Sequence, residues 1–170
     1  MSGAKTLVSI DEYPHSSYEP DCDYVHGELE DRNAGEKDHS KTMAALLFYL
    51  HQRRKQWGLY VGLTTRMRVS PARFRVPDIC VYTLPEPDEQ VFTRQPLLCI
   101  EVLSPEDRMS RMQRRIDDYL NFGVRYVWVA DPKTLKAWIY TADGMHECSD
   151  GVLRTENPDI AVPLRDLFEE

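Results

Sequence analysis

A chain of 170 residues with 42% apolar and 29% charged side chains has the proportions of one globular domain that buries about two thirds of its unfolded surface. No apolar run approaches the roughly 20 residues needed to span a bilayer, and the N-terminal MSGAKTLVSIDEY lacks a signal-peptide core, so no membrane partner and a cytoplasmic location are expected. The net charge of −7 argues against a generic polyanion binder, and the cysteines at 22, 80, 99 and 148 form no C-x-x-C pair of the kind used by zinc sites or thiol redox centres.

Residues 1–23 read as a lead-in, with a short helix from Leu7 to Tyr13 capped by Ser9 and then a loop; the domain proper is expected over 24–170. In Tyr24–Glu30, Gly27 between extended-type residues predicts a tight turn joining two short strands. Glu28 and Glu30 then share a face, because strand side chains alternate, and either is a candidate third acid. Asp38 to Arg54 predicts a helix, since Met43, Leu46, Leu47 and Leu50 recur at i, i+3, i+4 and i+7. His39 lies one turn earlier on that face, as a helix-start histidine or as a neighbour of an acidic site. Tyr60–Leu63, Arg66–Val69 and Phe74–Tyr82 read as strands joined by connectors short enough for hairpins, and Leu84–Pro96 is a polar, proline-rich loop.

Two apolar runs, Ile79–Tyr82 and Leu97–Ile100, suit neighbouring buried strands, and each carries one carboxylate. Asp78 opens the first run behind Pro77, and Glu101 interrupts the second before Val102. A lone carboxylate in an apolar strand costs several kcal/mol, so each needs a partner. A shared divalent cation satisfies both, and so do ion pairs with arginines. Ser104-Pro105-Glu106-Asp107 has the composition of a helix start, and the helix is expected to stop at Gly123. Met109, Met112, Ile116 and Tyr119 form its expected buried stripe. Arg108, Arg111 and Arg115 form a second stripe, either a solvated face or a nucleic-acid-binding face turned to the cleft. Tyr126–Ala130 is a further strand, so strand, helix and parallel strand make a crossover unit. Trp128 and Trp138 read as core, and there is no internal repeat.

Pro77-Asp78, Cys99–Pro105, Asp117–Leu120 with Gly123-Val124, and Tyr126–Pro132, in that order and spacing, resemble the Uma-two family of predicted endonucleases, a branch of the PD-(D/E)xK superfamily. The resemblance runs from about Tyr24 to Phe168. It implies an α/β (α+β) restriction-endonuclease-like fold, a mixed sheet flanked by helices in a single domain, and hydrolysis of nucleic acid, DNA first, with Mg²⁺ or Mn²⁺. By resemblance, Asp78, Glu101 and the Val102 carbonyl are the metal ligands, and a catalytic lysine is due where Leu103 stands. In the family that lysine moves onto the following helix, four residues before the tyrosine, which is Arg115 here. Arginine keeps its proton and cannot act as a base, but it can clamp a phosphate oxygen. Water activation then falls to the metal with help from Glu28 or Glu30, and Gln113 is a candidate to orient the water. A homodimer is expected if two strands are cut. The alternative is a nuclease-fold module that binds nucleic acid or a protein without catalysis.

Overall fold

The computed structural model describes residues 7–32 and 35–168. In chain order the elements are β1 (Cys22–Val25), β2 (Glu28–Asp31), α1 (Lys37–Trp57), β3 (Leu59–Leu63), β4 (Met67–Ser70), β5 (Arg73–Arg75), β6 (Ile79–Thr83) and β7 (Leu98–Val102). There follow α2 (Met109–Phe122), β8 (Tyr126–Asp131), β9 (Lys136–Thr141), β10 (Gly144–Glu147), β11 (Val152–Arg154), β12 (Ala161–Pro163) and α3 (Arg165–Phe168). A six-stranded mixed sheet runs β10-β9-β8-β7-β6-β3, a four-stranded antiparallel sheet runs β2-β1-β5-β4, and β11 pairs with β12. The chain is a mixed α+β single domain, as expected.

Strand alternation decides which helix covers which face. Ile79, Val81, Leu98, Ile100 and Trp128 point to one side of the central sheet and pack with Leu46 and Leu50 of α1. Cys80, Tyr82, Cys99, Val127 and Val129 point to the other side and meet Met112, Ile116 and Tyr119 of α2. The parallel β7–β8 pair needs a crossover, which α2 supplies. Both long helices stop at a glycine in the left-handed region, Gly58 at φ 64° and Gly123 at φ 104°. Among the described residues no helix is long and apolar enough to cross a membrane.

Several boundaries differ from the sequence reading. α2 begins at Met109 rather than Ser104, because Asp107 Oδ2 accepts hydrogen bonds from the Ser104 amide (2.7 Å) and hydroxyl (3.1 Å), closing a separate turn. Met109 is consequently exposed, not buried. Phe74–Tyr82 is two strands in two sheets, broken at Val76-Pro77-Asp78, where proline offers no amide to a ladder. β3 pairs with β6 instead of β4. In place of a helix from Leu7, a turn held by Ser9 Oγ accepting from the Glu12 amide (3.2 Å) leads into a 3₁₀ turn at Tyr13–His15. Tyr13 is fully buried, with its ring centroid 5.2 Å from that of Tyr24 and 5.0 Å from that of Phe74, so part of the expected lead-in belongs to the core.

Candidate functional site

The β6–β7 ladder pairs Ile79 with Ile100, and continuing that register by one residue sets Asp78 against Glu101. By alternation both carboxylates fall on the α2 side of the sheet. Asp78 Oδ2 accepts hydrogen bonds from the Val102 amide (2.8 Å) and from His39 Nε2 (3.3 Å), and Oδ1 is ion-paired with Arg32. Burial alone would raise the Asp78 pKa, but His39, Arg32 and the Val102 amide outweigh it and hold the carboxyl down at about 2. The same contact keeps His39 protonated above its ordinary range, chiefly through its hydrogen bond to Asp78. His39 reaches the site from the first turn of α1, and Arg32 from the residue after β2.

Glu101 has the opposite character. Its side chain is 1% exposed, and Oε1 accepts a 2.6 Å hydrogen bond from the Tyr119 hydroxyl and lies 3.2 Å from Arg115 Nη2. Burial pushes its pKa up to about 7, with Asp78 adding to the rise against Arg115, Arg32 and Tyr119. Two carboxylates in one site are thus driven apart, one ionised throughout the physiological range and one exchanging its proton near neutrality.

Arg115 ties Glu101 to a buried ionic layer beneath. Its Nε lies 3.2 Å from Asp23 Oδ2, and its Nη2 donates to the Val76 carbonyl at 3.1 Å. Arg75, almost fully buried, donates to Asp23 Oδ2 (2.9 Å), Glu30 Oε2 (2.8 Å) and Asp118 Oδ2 (2.8 Å), and Asp118 also holds Arg73. The Val76 amide donates to Asp23 Oδ1 at 2.8 Å. Asp23, Arg32 and Arg75 escaped the sequence reading. A single charged residue in or just after a short strand carries no spacing signal, and only Asp118 lay inside a motif that pointed here.

Asp78 and Glu101 open on a cavity of about 20 Å³, room for one water or one ion, lined also by Arg32, His39, Val102 and Arg115. Beside it runs a groove of about 560 Å³ that shares His39, Ser104 and Asp107 with the cavity and adds Arg108, Met109 and Lys133. Among the described residues no group of three or more His, Cys, Asp or Glu side chains is arranged to hold a metal ion.

Asp78, Glu101, Val102, Arg115 and His39 therefore come together. The other candidates do so only in part. Glu30 lies one layer back, engaged by Arg75, and Glu28 sits nearer the hairpin turn, opposite Val25. Arg111 donates to the Asp31 carbonyl at 3.1 Å, and Arg108 is exposed on the groove. Gln113 is not at the site: its amide donates to Asp117 Oδ1 at 2.8 Å, and it lines a separate apolar groove with Leu120 and Trp138. Two residues along a helix is about 200° of rotation, so Gln113 and Arg115 face opposite ways. Trp128 is core, and Trp138 is half-buried.

Residues 10–165 match the sequence profile of the Uma2 (Uma-two) family, described as "Putative restriction endonuclease". The fold is similar to the crystal structure of a "putative nuclease" from Anabaena variabilis ATCC 29413, with a TM-score of 0.81 and 20% identity over 95% of this chain and 97% of that one. No curated protein matches the chain. With a profile match over nearly its whole length, the chain belongs to the Uma2 family of restriction-endonuclease-like proteins.

Proposed function

We propose that this protein is a Mg²⁺- or Mn²⁺-dependent nuclease that hydrolyses phosphodiester bonds in DNA. The observation that carries this is the placement of Asp78, just ahead of β6, and Glu101, in β7, on one ion-sized cavity that adjoins a groove. Two carboxylates, one of them firmly ionised, and the main chain of Val102 are the oxygen donors a hard divalent cation takes, and Arg32, His39 and Arg115 on the same cavity are the charges it would have to offset. Asp78, Glu101 and Val102 would hold the ion, which when bound supplies a polarised phosphoryl oxygen and a more acidic water.

The remaining work falls to the chain. The His39 imidazolium and the Val102 amide fix the Asp78 carboxylate in place. Tyr119 and Arg115 fix the Glu101 carboxylate opposite Asp78, so both carboxylates face the one cavity. Arg115, permanently charged, stabilises negative charge developing on the phosphate, and Arg108 and Lys133 are the groove's cations for flanking phosphates, set among Glu36, Asp38, Asp107 and Asp131. Four buried free thiols agree with a reducing, cytoplasmic setting, and cutting both strands of a duplex would engage two copies.

Titration calorimetry with Mn²⁺ tests the reading. The wild type is expected to bind, and Asp78→Asn and Glu101→Gln to lose binding while keeping their circular dichroism and their fold. A wild type that binds no metal removes the basis of the proposal. One observation favours a second reading, a non-catalytic nucleic-acid-binding module: Arg32 and Arg115 already compensate the two carboxylates. That reading requires salt-sensitive DNA binding that survives Asp78→Asn.

A further inference from the structure

We infer that the substrate is taken as a single strand, with unpaired bases stacking on Trp138 and Tyr140 in the apolar groove beside the site. The inference rests on the nuclease reading above and names the form of nucleic acid on which it acts. β9 sets the platform. Val127 pairs with Tyr140 and Val129 with Trp138, so both rings stand on the face of the sheet that α2 covers over β7 and β8. Out on β9 they are only half-buried, and Met145, paired with Tyr140 from β10, stands beside them 55% exposed. Residues two apart in a strand lie about 6.7 Å from one another on one face, which is how a sheet offers rings to successive bases.

Two observations choose the occupant. The groove, of about 510 Å³, is lined by no charged side chain among the described residues, while Gln113 and Thr141 bring it a carboxamide and a hydroxyl. It shares Leu103, Met109 and Met112 with the polar groove that adjoins the Asp78 and Glu101 cavity. A ligand lying across both must carry charge at one end and a flat, uncharged, hydrogen-bonding body at the other. A nucleotide has that form, its phosphate for the polar groove and its base for the apolar one. Bases inside a duplex are stacked on each other and offer no free face to a protein ring, so the strand has to be unpaired. The electrostatics agree. The chain carries a net charge of −7, and Arg108 and Lys133 stand among four carboxylates, so neutralised phosphates supply little affinity. Stacking, which releases no counterions, is what remains to hold the strand.

The test uses the full chain and fluorescence anisotropy of an end-labelled oligothymidine, alone or annealed to its complement, in chelator and again in Ca²⁺. Wild type is expected to bind the single strand about tenfold tighter than the duplex. Trp138→Ala and Tyr140→Ala should each lose about tenfold for the single strand with an unchanged salt slope, and Trp138→Phe should keep most of the affinity. Unlabelled single strand should also quench tryptophan fluorescence in wild type, a quench absent from Trp138→Phe. Should Trp138→Ala fail to fold, Tyr140→Ala and the quench carry the comparison. Equal affinity for the two DNA forms, or unchanged binding in the alanine variants, overturns the inference and leaves the nuclease reading standing. Absence of any DNA binding overturns it too, and the nuclease reading falls with it only if Mn²⁺ also fails to bind in calorimetry. A dimer in sedimentation that Trp138→Ala splits into monomers gives this face to a second copy of the chain and likewise overturns the inference.

Discussion

The Tyr119 hydroxyl donates a 2.6 Å hydrogen bond to Glu101 Oε1 in a place where both side chains are buried. α2 therefore reports directly on a carboxylate in β7. Replacing Tyr119 with Phe removes the donor and leaves the carboxylate less supported. A loss of about 1–3 kcal/mol is expected, a melting-temperature drop of roughly 2–4 °C per kcal/mol for a chain of this size. The same variant should move the Glu101 titration above its value of about 7, which carboxyl NMR would follow.

Stability in the presence of a chelator should fall as pH rises from 5 to 8. Glu101 has a folded pKa of about 7 against an ordinary 4.5, so its contribution is fully present below about 4.5 and is lost as pH climbs through 7. The amount is on the order of 3 kcal/mol at most, because one pKa unit is worth about 1.4 kcal/mol. His39, raised above 6.5, acts in the same direction. Asp78 acts in the other, and only in acid: held at about 2 against 3.8, its contribution is present above 3.8 and lost as pH falls through 2. Glu101→Gln should flatten the slope between pH 5 and 8. An unchanged slope in melting curves across that range would refute the assignment.

Arg75 and Glu30 should differ sharply in cost. Arg75→Met leaves Asp23 and Asp118 buried with their main cation gone, and about 3–5 kcal/mol should be lost in urea unfolding. Glu30 is partly solvated at its side chain, so Glu30→Gln should cost under about 1 kcal/mol.

If Arg115 acts as a fixed positive charge rather than a base, charge alone should matter. Plasmid nicking in Mn²⁺ is expected to fall about 10²–10³-fold in Arg115→Met and to survive largely in Arg115→Lys. Loss of nicking in both variants alike would mean that the guanidinium geometry, gripping Asp23 and Glu101 at once, is what the reaction needs.

The legible part of the fold was what repeats. Alternation in Ile79–Tyr82 and Leu97–Ile100, and the i, i+3, i+4 apolar stripes of the two long helices, each involve several side chains answering to one buried face. Asp78 and Glu101 stood out because each is a charge interrupting such a run. Arg32, Asp23 and Arg75 interrupt nothing: they meet through contacts 43 to 52 residues apart in sequence, such as Arg32 with Asp78 and Arg75 with Asp23. The break in Phe74–Tyr82 was hidden for a related reason. Its residues suit strand on both sides of Pro77, and the proline, which interrupts the ladder, does not say that the two halves belong to different sheets; the partner strands do.

That break sets how the molecule opens. Val76 gives its amide to Asp23 in the small sheet and receives Arg115 on its carbonyl, and two residues later Asp78 stands in the cavity. Peeling β1 and β5 away would drag Val76, and with it Asp78, out of register with Glu101. The small sheet and the site should thus behave as one cooperative unit in hydrogen exchange, the amides of Val76 and Val102 gaining or losing protection together.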